Sequence, residues 1–219
     1  MKNFTGEVLD NKIPLPAVAR LCAIYRLLCG LSAQEGALIS SAALGEKLGV
    51  GAHNIRKDVS YLTDIEGGSG RNGYDVERLK ELIGRRFGLD NEFRACIVGL
   101  GRLGLALLRG ERFFDDRVRV TAGFDSDINL VETIKANIDV YPAYEITEVV
   151  RRLNVELAIL TVPSPAAQEC ADRLVQGGVR GIVNFTSAVI KTEVFVKVRN
   201  VDLTGELTIL SALVSMDGR

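Results

Sequence analysis

Three glycines with the spacing of a phosphate cradle stand in Val98-Gly-Leu-Gly-Arg-Leu-Gly104. A pyrophosphate needs backbone N–H donors at close range, and glycine lets a chain turn sharply and a ligand approach it. On this reading Gly99 makes the turn, Gly101 admits the pyrophosphate, and Gly104 brings the following helix close to the strand. Leu100, Arg102 and Leu103 complete the cradle. Asp125, 21 residues beyond Gly104, ends a second apolar run and can accept hydrogen bonds from an adenosine ribose. Its charge repels the extra phosphate of NADP, so NAD(H) is the cofactor expected. A ligand-free strand-to-helix turn with Asp125 as a helix cap would use the same residues, and Asp127 is a second candidate for that cap.

A second constellation is His53-Asn-Ile-Arg-Lys-Asp-Val-Ser-Tyr61. On a helix, Ile55 and Val59 turn inward and leave Arg56, Lys57, Ser60 and Tyr61 outside, as donors for base edges and phosphates. Arg56 or Lys57 can pair with guanine, Ser60 and Tyr61 suit phosphates, and Asp58 can orient a neighbouring cation. His53 and Asn54 open the helix, His53 as a cap or phosphate contact in preference to a pH sensor. Arg71, among glycines, can enter a minor groove. An ordinary solvated helix face carries the same residue types, so this helix alone does not decide between the two.

These residues need elements to hold them. Pro14 and Pro16 start a helix whose apolar positions Val18, Leu21, Cys22, Tyr25, Leu28 and Cys29 recur on one face through Leu31. Cys22 and Cys29 are expected as small buried hydrophobes on that face. Ser40 or Ser41 caps a short helix that ends in Gly49-Val50-Gly51, and a third helix runs from Ala52 to about Thr63, giving a helix-turn-helix outline. The glycine-rich stretch 66–74 reads as a wing, followed by an amphipathic helix over Val76–Phe87.

Near residue 90 the pattern changes to strands alternating with helices. Strands are predicted at 95–98, 118–124, 139–141, 157–162, 181–185 and 201–203. They imply an α/β Rossmann domain with a doubly wound parallel sheet, preceded by a mainly α winged-helix domain. The expected organisation is a DNA-binding domain over 1–88, an NAD(H)-binding domain over 89–204 and a dimerisation helix over 205–219. Thr161, Val162 and Pro163, with Asn184 and Phe185, fall at the carboxyl edge of the sheet, where they would line the nicotinamide side.

Bulk composition adds exclusions. The net charge is −1, with 12 Lys/Arg against 11 Asp/Glu in residues 1–90 and 15 against 17 in the rest, so any DNA surface must be a local patch. Four cysteines without a CxxC pair and a single histidine make a metal site unexpected. No apolar run approaches the ~20 residues of a membrane span, and the first residues do not resemble a signal peptide, so a cytoplasmic protein is expected. Hydride transfer needs a general acid/base; the one histidine lies in the other half, and Lys191 with Asp202 is a poor substitute, so no enzymatic activity is expected.

The motifs together resemble the Rex family of redox-sensing transcriptional repressors over nearly the whole chain. Ile13-Pro14, Arg20-Leu21, Arg26, Arg56-Lys57-Asp58-Val-Ser-Tyr61, Gly73-Tyr74-Asp75-Val76, Val98-Gly-Leu-Gly-Arg-Leu-Gly104, Phe124-Asp125, Leu160-Thr-Val-Pro163, Asn184-Phe185 and Asn200-Val-Asp-Leu203 recur in the family's order. The resemblance implies a homodimer with swapped C-terminal helices that holds a palindromic operator with NAD+ or no ligand bound and releases it with NADH. It also implies that Arg26 and Asp202 link the DNA-binding domain to the partner's nucleotide domain. Gly110 stands where the family has a tyrosine, Leu203 where an aromatic residue of the partner inserts beside the nicotinamide, and the wing is longer. A related protein whose Rossmann domain answers another nucleotide, or serves only dimerisation, is the alternative.

Overall fold

The computed structural model describes residues 13–31, 37–62, 73–110 and 117–217. The chain divides into two compact units, Met1–Asn91 and Glu92–Arg219.

In the first unit, helix α1 spans Leu15–Cys29. Ala17, Leu21, Ile24, Tyr25 and Leu28 form its buried stripe, a three-to-four-residue recurrence that suits a helix packed on one side. The expected shared burial of Cys22 and Cys29 does not hold: they flank the stripe, Cys22 half-buried and Cys29 exposed. Strand β1 (Leu38–Ile39) pairs antiparallel with β2 (Tyr74–Asp75). Between them come α2 (Ser41–Leu48) and α3 (Ala52–Val59).

Ser40 caps α2, its Oγ accepting from Ala43 N at 3.0 Å. Gly49 ends the helix at φ 66°, a conformation that costs glycine little. A Cβ at Gly45 would stand 2.4 Å from Val50 O, so only glycine lets the turn cross the helix this closely. The third helix stops at Val59, short of the predicted end, with Ser60 as its C-cap; Thr63, Arg71 and most of the stretch 66–74 expected as a wing lie outside the described residues. Helix α4 covers Val76–Phe87, capped by Asp75 Oδ1 accepting from Arg78 N at 2.8 Å and ended by Gly88 at φ 65°. Leu44, Ile55, Val59, Leu62, Leu79 and Ile83 close one core with α1.

The second unit is a six-stranded, all-parallel sheet. Its strands are β3 (Phe93–Val98), β4 (Val118–Asp125), β5 (Asp139–Pro142), β6 (Leu157–Leu160), β7 (Gly181–Asn184) and β8 (Lys197–Asn200), in spatial order β5-β4-β3-β6-β7-β8. The order reverses direction beside β3, which places the ligand crevice of a doubly wound sheet at that strand's carboxyl end. Helices α5 (Arg102–Arg109) and α6 (Ile128–Thr133) cover one face, where Leu105, Leu108, Leu130 and Ile134 pack on Ile97, Leu100 and Ile159. On the other face α7 (Ile146–Leu153) and α8 (Ser164–Gly177) pack over a larger core containing Phe124, Ile146, Val150, Leu160 and Leu174.

The sixth strand is the main correction. It forms at Lys197–Asn200, and the segment 201–203 predicted as strand instead leads into helix α9, Leu203–Asp217. An edge strand needs little apolar surface, and Lys197, Arg199 and Asn200 are exposed in β8, so its polar sequence hides it. The C-terminal helix therefore starts two residues before the expected boundary at 205.

Candidate functional site

The glycine turn follows β3 directly. Gly99 takes φ 92°, and a Cβ there would meet Val162 N at 2.8 Å. At Gly104 a Cβ would stand 1.9 Å from Gly99 O, so the first turn of α5 lies against the end of β3 at a distance only glycine permits. Gly101, the N-cap of α5, has open space around its Cβ position. The first intrahelical bond of α5 is Leu105 N to Gly101 O at 2.9 Å. The N–H groups of Arg102, Leu103 and Gly104 therefore precede the ladder and suit an anionic ligand. These residues fit a dinucleotide pyrophosphate.

Two side chains set the turn. Thr161, just after β6, donates its hydroxyl toward Val98 O (3.1 Å) and Gly99 O (2.6 Å). Asp125, at the end of β4, accepts from Leu100 N at 2.6 Å through Oδ2 and from Asp127 N at 2.9 Å through Oδ1. An ionised carboxylate has about four acceptor positions, so Asp125 can hold the turn and still receive ribose hydroxyls. Asp127 is the cap of α6, accepting from Asn129 N and Leu130 N. Leu100 belongs to the core: its side chain is fully buried and its N–H is committed to Asp125.

Along the same edge, Val162 packs beside Gly99 and Pro163 caps α8. Phe185 is half-buried against the cluster that contains Leu100. Asn184 is fully buried, and its amide is saturated. Nδ2 donates to Ala188 O (2.9 Å) and Asn200 Oδ1 (3.0 Å), and Oδ1 accepts from Thr186 N (3.0 Å) and Thr186 Oγ1 (2.7 Å). Asn184 thus shapes the loop 185–188 and leaves no side-chain polar atom unpaired. Gly110 ends α5 in extended backbone.

The first unit presents Arg56, Lys57, His53 and Asn54 exposed on α3, with Ile55, Asp58 and Val59 inward. Gly51, and not His53, occupies the cap position. Asp58 is only 1% exposed and bound by Arg20 of α1, Nε to Oδ2 at 2.6 Å and Nη2 to Oδ1 at 2.8 Å. This planar fork, with Asp58 hydrogen-bonded to it, raises the Arg20 guanidinium above its ordinary pKa. Arg56 Nη1 donates to Ser41 Oγ at 3.1 Å, and Ser60 Oγ donates to Lys57 O at 2.6 Å. Tyr61 lies in the turn after the helix, half-buried. The roles of Arg20 and Ser41 were not legible in advance, because side-chain pairing across 38 and 15 residues leaves no periodic signal.

Arg26 is exposed in the last turn of α1. Asp202 is exposed and opens α9, Oδ1 accepting from Gly205 N at 3.0 Å. Leu203, the first residue of α9, is also exposed. Lys191 is held by its backbone, which Gln168 brackets through Lys191 N (2.9 Å) and Lys191 O (2.9 Å). Among the described residues no group of three or more His, Cys, Asp or Glu could hold a metal ion, and no helix is long and apolar enough to cross a membrane.

Comparison with known proteins covers both units. The family model described as "Putative DNA-binding protein N-terminus" matches residues 12–60, and the one described as "CoA binding domain" matches residues 90–188. The redox-sensing transcriptional repressor Rex of Pediococcus pentosaceus is 39% identical over 208 residues, covering 95% of this chain and 98% of its own. That of Ligilactobacillus salivarius is 38% identical over 201 residues, covering 92% and 93%. Among solved structures, RSP in complex with β-NAD+ and operator DNA superposes with a TM-score of 0.83 at 29% identity, covering 94% of each chain. RSP with β-NADH gives a TM-score of 0.79 at 28% identity, covering 94% of this chain and 96% of the other.

Proposed function

The chain belongs to the Rex family of redox-sensing transcriptional repressors, and from that premise we propose how its own residues divide the work. It is a regulator and not an enzyme: it binds operator DNA when the second unit holds NAD+ or no ligand, and leaves the DNA when that unit holds NADH. The observation that carries this reading is the presence in one chain of both a helix with exposed Arg56 and Lys57 and a glycine turn packed so closely at Gly104 that a Cβ there would collide with Gly99 O.

In the DNA-binding domain, 1–88, Arg56 reads a base edge, Lys57, Ser60, Tyr61, His53 and Asn54 hold phosphates, and Arg71 serves the wing. Asp58 acts indirectly, by fixing α3 on α1 through Arg20. In the nucleotide-binding domain the amides of Arg102, Leu103 and Gly104 receive the pyrophosphate, and Asp125 receives the ribose while anchoring the turn. Thr161, Val162, Pro163 and Phe185 border the nicotinamide end. The nicotinamide supplies only its redox state; the protein's part is to bind the two forms with different consequences for its shape.

The apolar, exposed C-terminal helix supports a homodimer on a palindromic operator, with Arg26, Asp202 and Leu203 at the link between one protomer's DNA-binding domain and the other's nucleotide domain. The DNA-binding role supports a cytoplasmic location. Reciprocity gives the test: if NADH lowers operator affinity, operator must lower NADH affinity by the same factor. NADH titrations with and without operator should give different dissociation constants, and equal constants would contradict the reading.

A further inference from the structure

We propose that Asn200 is a positioning residue for the nucleotide response, tying the loop at the nicotinamide end of the site to the root of the C-terminal helix through Asn184. The proposal rests on the functional reading above and names the contact that carries it inside one chain.

The two ends of the connection are unlike. The loop 185–188 bends back at the carboxyl end of β7 because Asn184 gathers Thr186 N, Thr186 Oγ1 and Ala188 O around one buried amide. Helix α9, by contrast, is left uncovered by the described residues of its own chain. Among its described side chains, Leu203 to Met216 are exposed except at Gly205, which is half-buried. Its direction relative to the sheet is therefore set at its root, between β8 and Leu203.

That root is fastened at two points. Val201 N donates to Asn184 O at 2.9 Å, and Asp202 Oδ1 accepts from Gly205 N at 3.0 Å. A Cβ at Gly205 would stand 2.6 Å from Asp202 Oδ2, so the cap is close. One side-chain bond joins this root to the loop, Asn184 Nδ2 to Asn200 Oδ1 at 3.0 Å. It uses the last donor of a fully buried amide. A shift of the loop that moves Asn184 must either carry Asn200 with it or leave a buried N–H without an acceptor, which costs about 1–3 kcal/mol in general. The loop and the helix root are thereby biased to move together.

Gln168 is the built-in control. It brackets Lys191 N and O and so restrains the outer part of the same connection, yet it touches neither Asn184 nor the helix root. The measured quantity is the factor by which NADH lowers operator affinity of the full-length protein at fixed salt. Asn200→Ala is expected to reduce that factor roughly three- to tenfold, with operator affinity without nucleotide and the unfolding midpoint little changed. Asn200→Asp keeps an acceptor for Asn184 Nδ2 and is expected to retain most of the factor, and Gln168→Ala all of it. An undiminished factor in Asn200→Ala overturns the proposal, as does an equal fall in Gln168→Ala, which would mean general loosening. If the wild-type factor is itself one, the functional reading fails first and the proposal with it, a result distinct from a responsive wild type with an equally responsive Asn200→Ala.

Discussion

Arg20 in α1 and Asp58 in α3 face each other as a two-point ion pair, Nε–Oδ2 at 2.6 Å and Nη2–Oδ1 at 2.8 Å, with the carboxylate 1% exposed. The pair joins α1 to α3, the helix on which Arg56 and Lys57 are exposed. It fixes how α3 is held on α1. Removing Arg20 leaves a buried carboxylate without its guanidinium. Arg20→Ala should lower the thermal midpoint of the first unit by on the order of 5 °C or more, and weaken operator binding at temperatures where the unit is still folded. Arg20→Lys keeps the charge but loses the fork, so it should fall between. Circular dichroism melts and operator titrations check both; an unchanged midpoint in Arg20→Ala would show that water replaces the guanidinium.

Arg56 is exposed and held by Ser41 Oγ at 3.1 Å. Arg56→Ala should weaken operator binding by about tenfold or more, the order expected for a lost bidentate base contact, with NAD(H) affinity unaltered. Ser41→Ala should weaken it less. Lys57→Ala should weaken binding evenly across sequences and flatten the salt dependence by about one unit of slope. Fluorescence anisotropy on operator and scrambled DNA separates the two behaviours. A loss of nucleotide affinity in Arg56→Ala would point to damage beyond the DNA face.

The glycine turn gives the sharpest steric expectation. Gly104→Ala sets a methyl group 1.9 Å from Gly99 O and must push α5 off the strand, so NAD+ and NADH binding should fall by about tenfold or more, some 1.4 kcal/mol. Asp125→Ala removes the acceptor of Leu100 N and Asp127 N together with the ribose acceptor, and should cost roughly 1.5–3 kcal/mol of nucleotide binding. Operator affinity without nucleotide should stay largely intact in both. Calorimetric titration with each nucleotide measures this, and unaltered binding in Asp125→Ala would reduce Asp125 to a turn anchor.

The four thiols should react in an order set by burial. Cys96 is fully buried in β3, and burial raises its pKa strongly; Cys170 and Cys22 are raised for the same first reason. Because the thiolate is the reactive form, a raised pKa slows labelling at neutral pH and moves it to higher pH. Exposed Cys29 should label first in the native protein, Cys22 later, and Cys96 and Cys170 only on unfolding. Mass spectrometry after timed alkylation checks the order.

The parallel sheet and its glycine turn were legible because β3, β4, β6 and β7 are apolar runs of the kind a doubly covered sheet requires, and because Gly99, Gly101 and Gly104 sit at fixed offsets from the end of a strand. The same rule hid β8. Lys197-Val-Arg-Asn200 lies at an edge and buries little, so the apolar Val201 and Leu203 beside it carried the strand signal instead. On α1, Cys22 and Cys29 pass for members of the apolar stripe because they lie one position from Leu21 and Leu28, yet the stripe follows 17, 21, 24, 25 and 28. The residues at the sheet edge could be placed there from sequence, but not the bonds that each of them makes. That Asn184 is spent on its own loop, Leu100 on the core and Thr161 on fastening the glycine turn depends on hydrogen bonds between distant residues, which no spacing encodes.

Control of the DNA-binding unit by the nucleotide's redox state is tested by titrating a fluorescent palindromic operator with the full-length protein at fixed salt, first with NAD+ and then with increasing NADH at constant total nucleotide. Operator held with NAD+ and released as NADH rises is the expected result. Operator binding that stays the same across the whole range of NADH to NAD+ would contradict it, since a ligand whose two forms bind alike shifts no equilibrium.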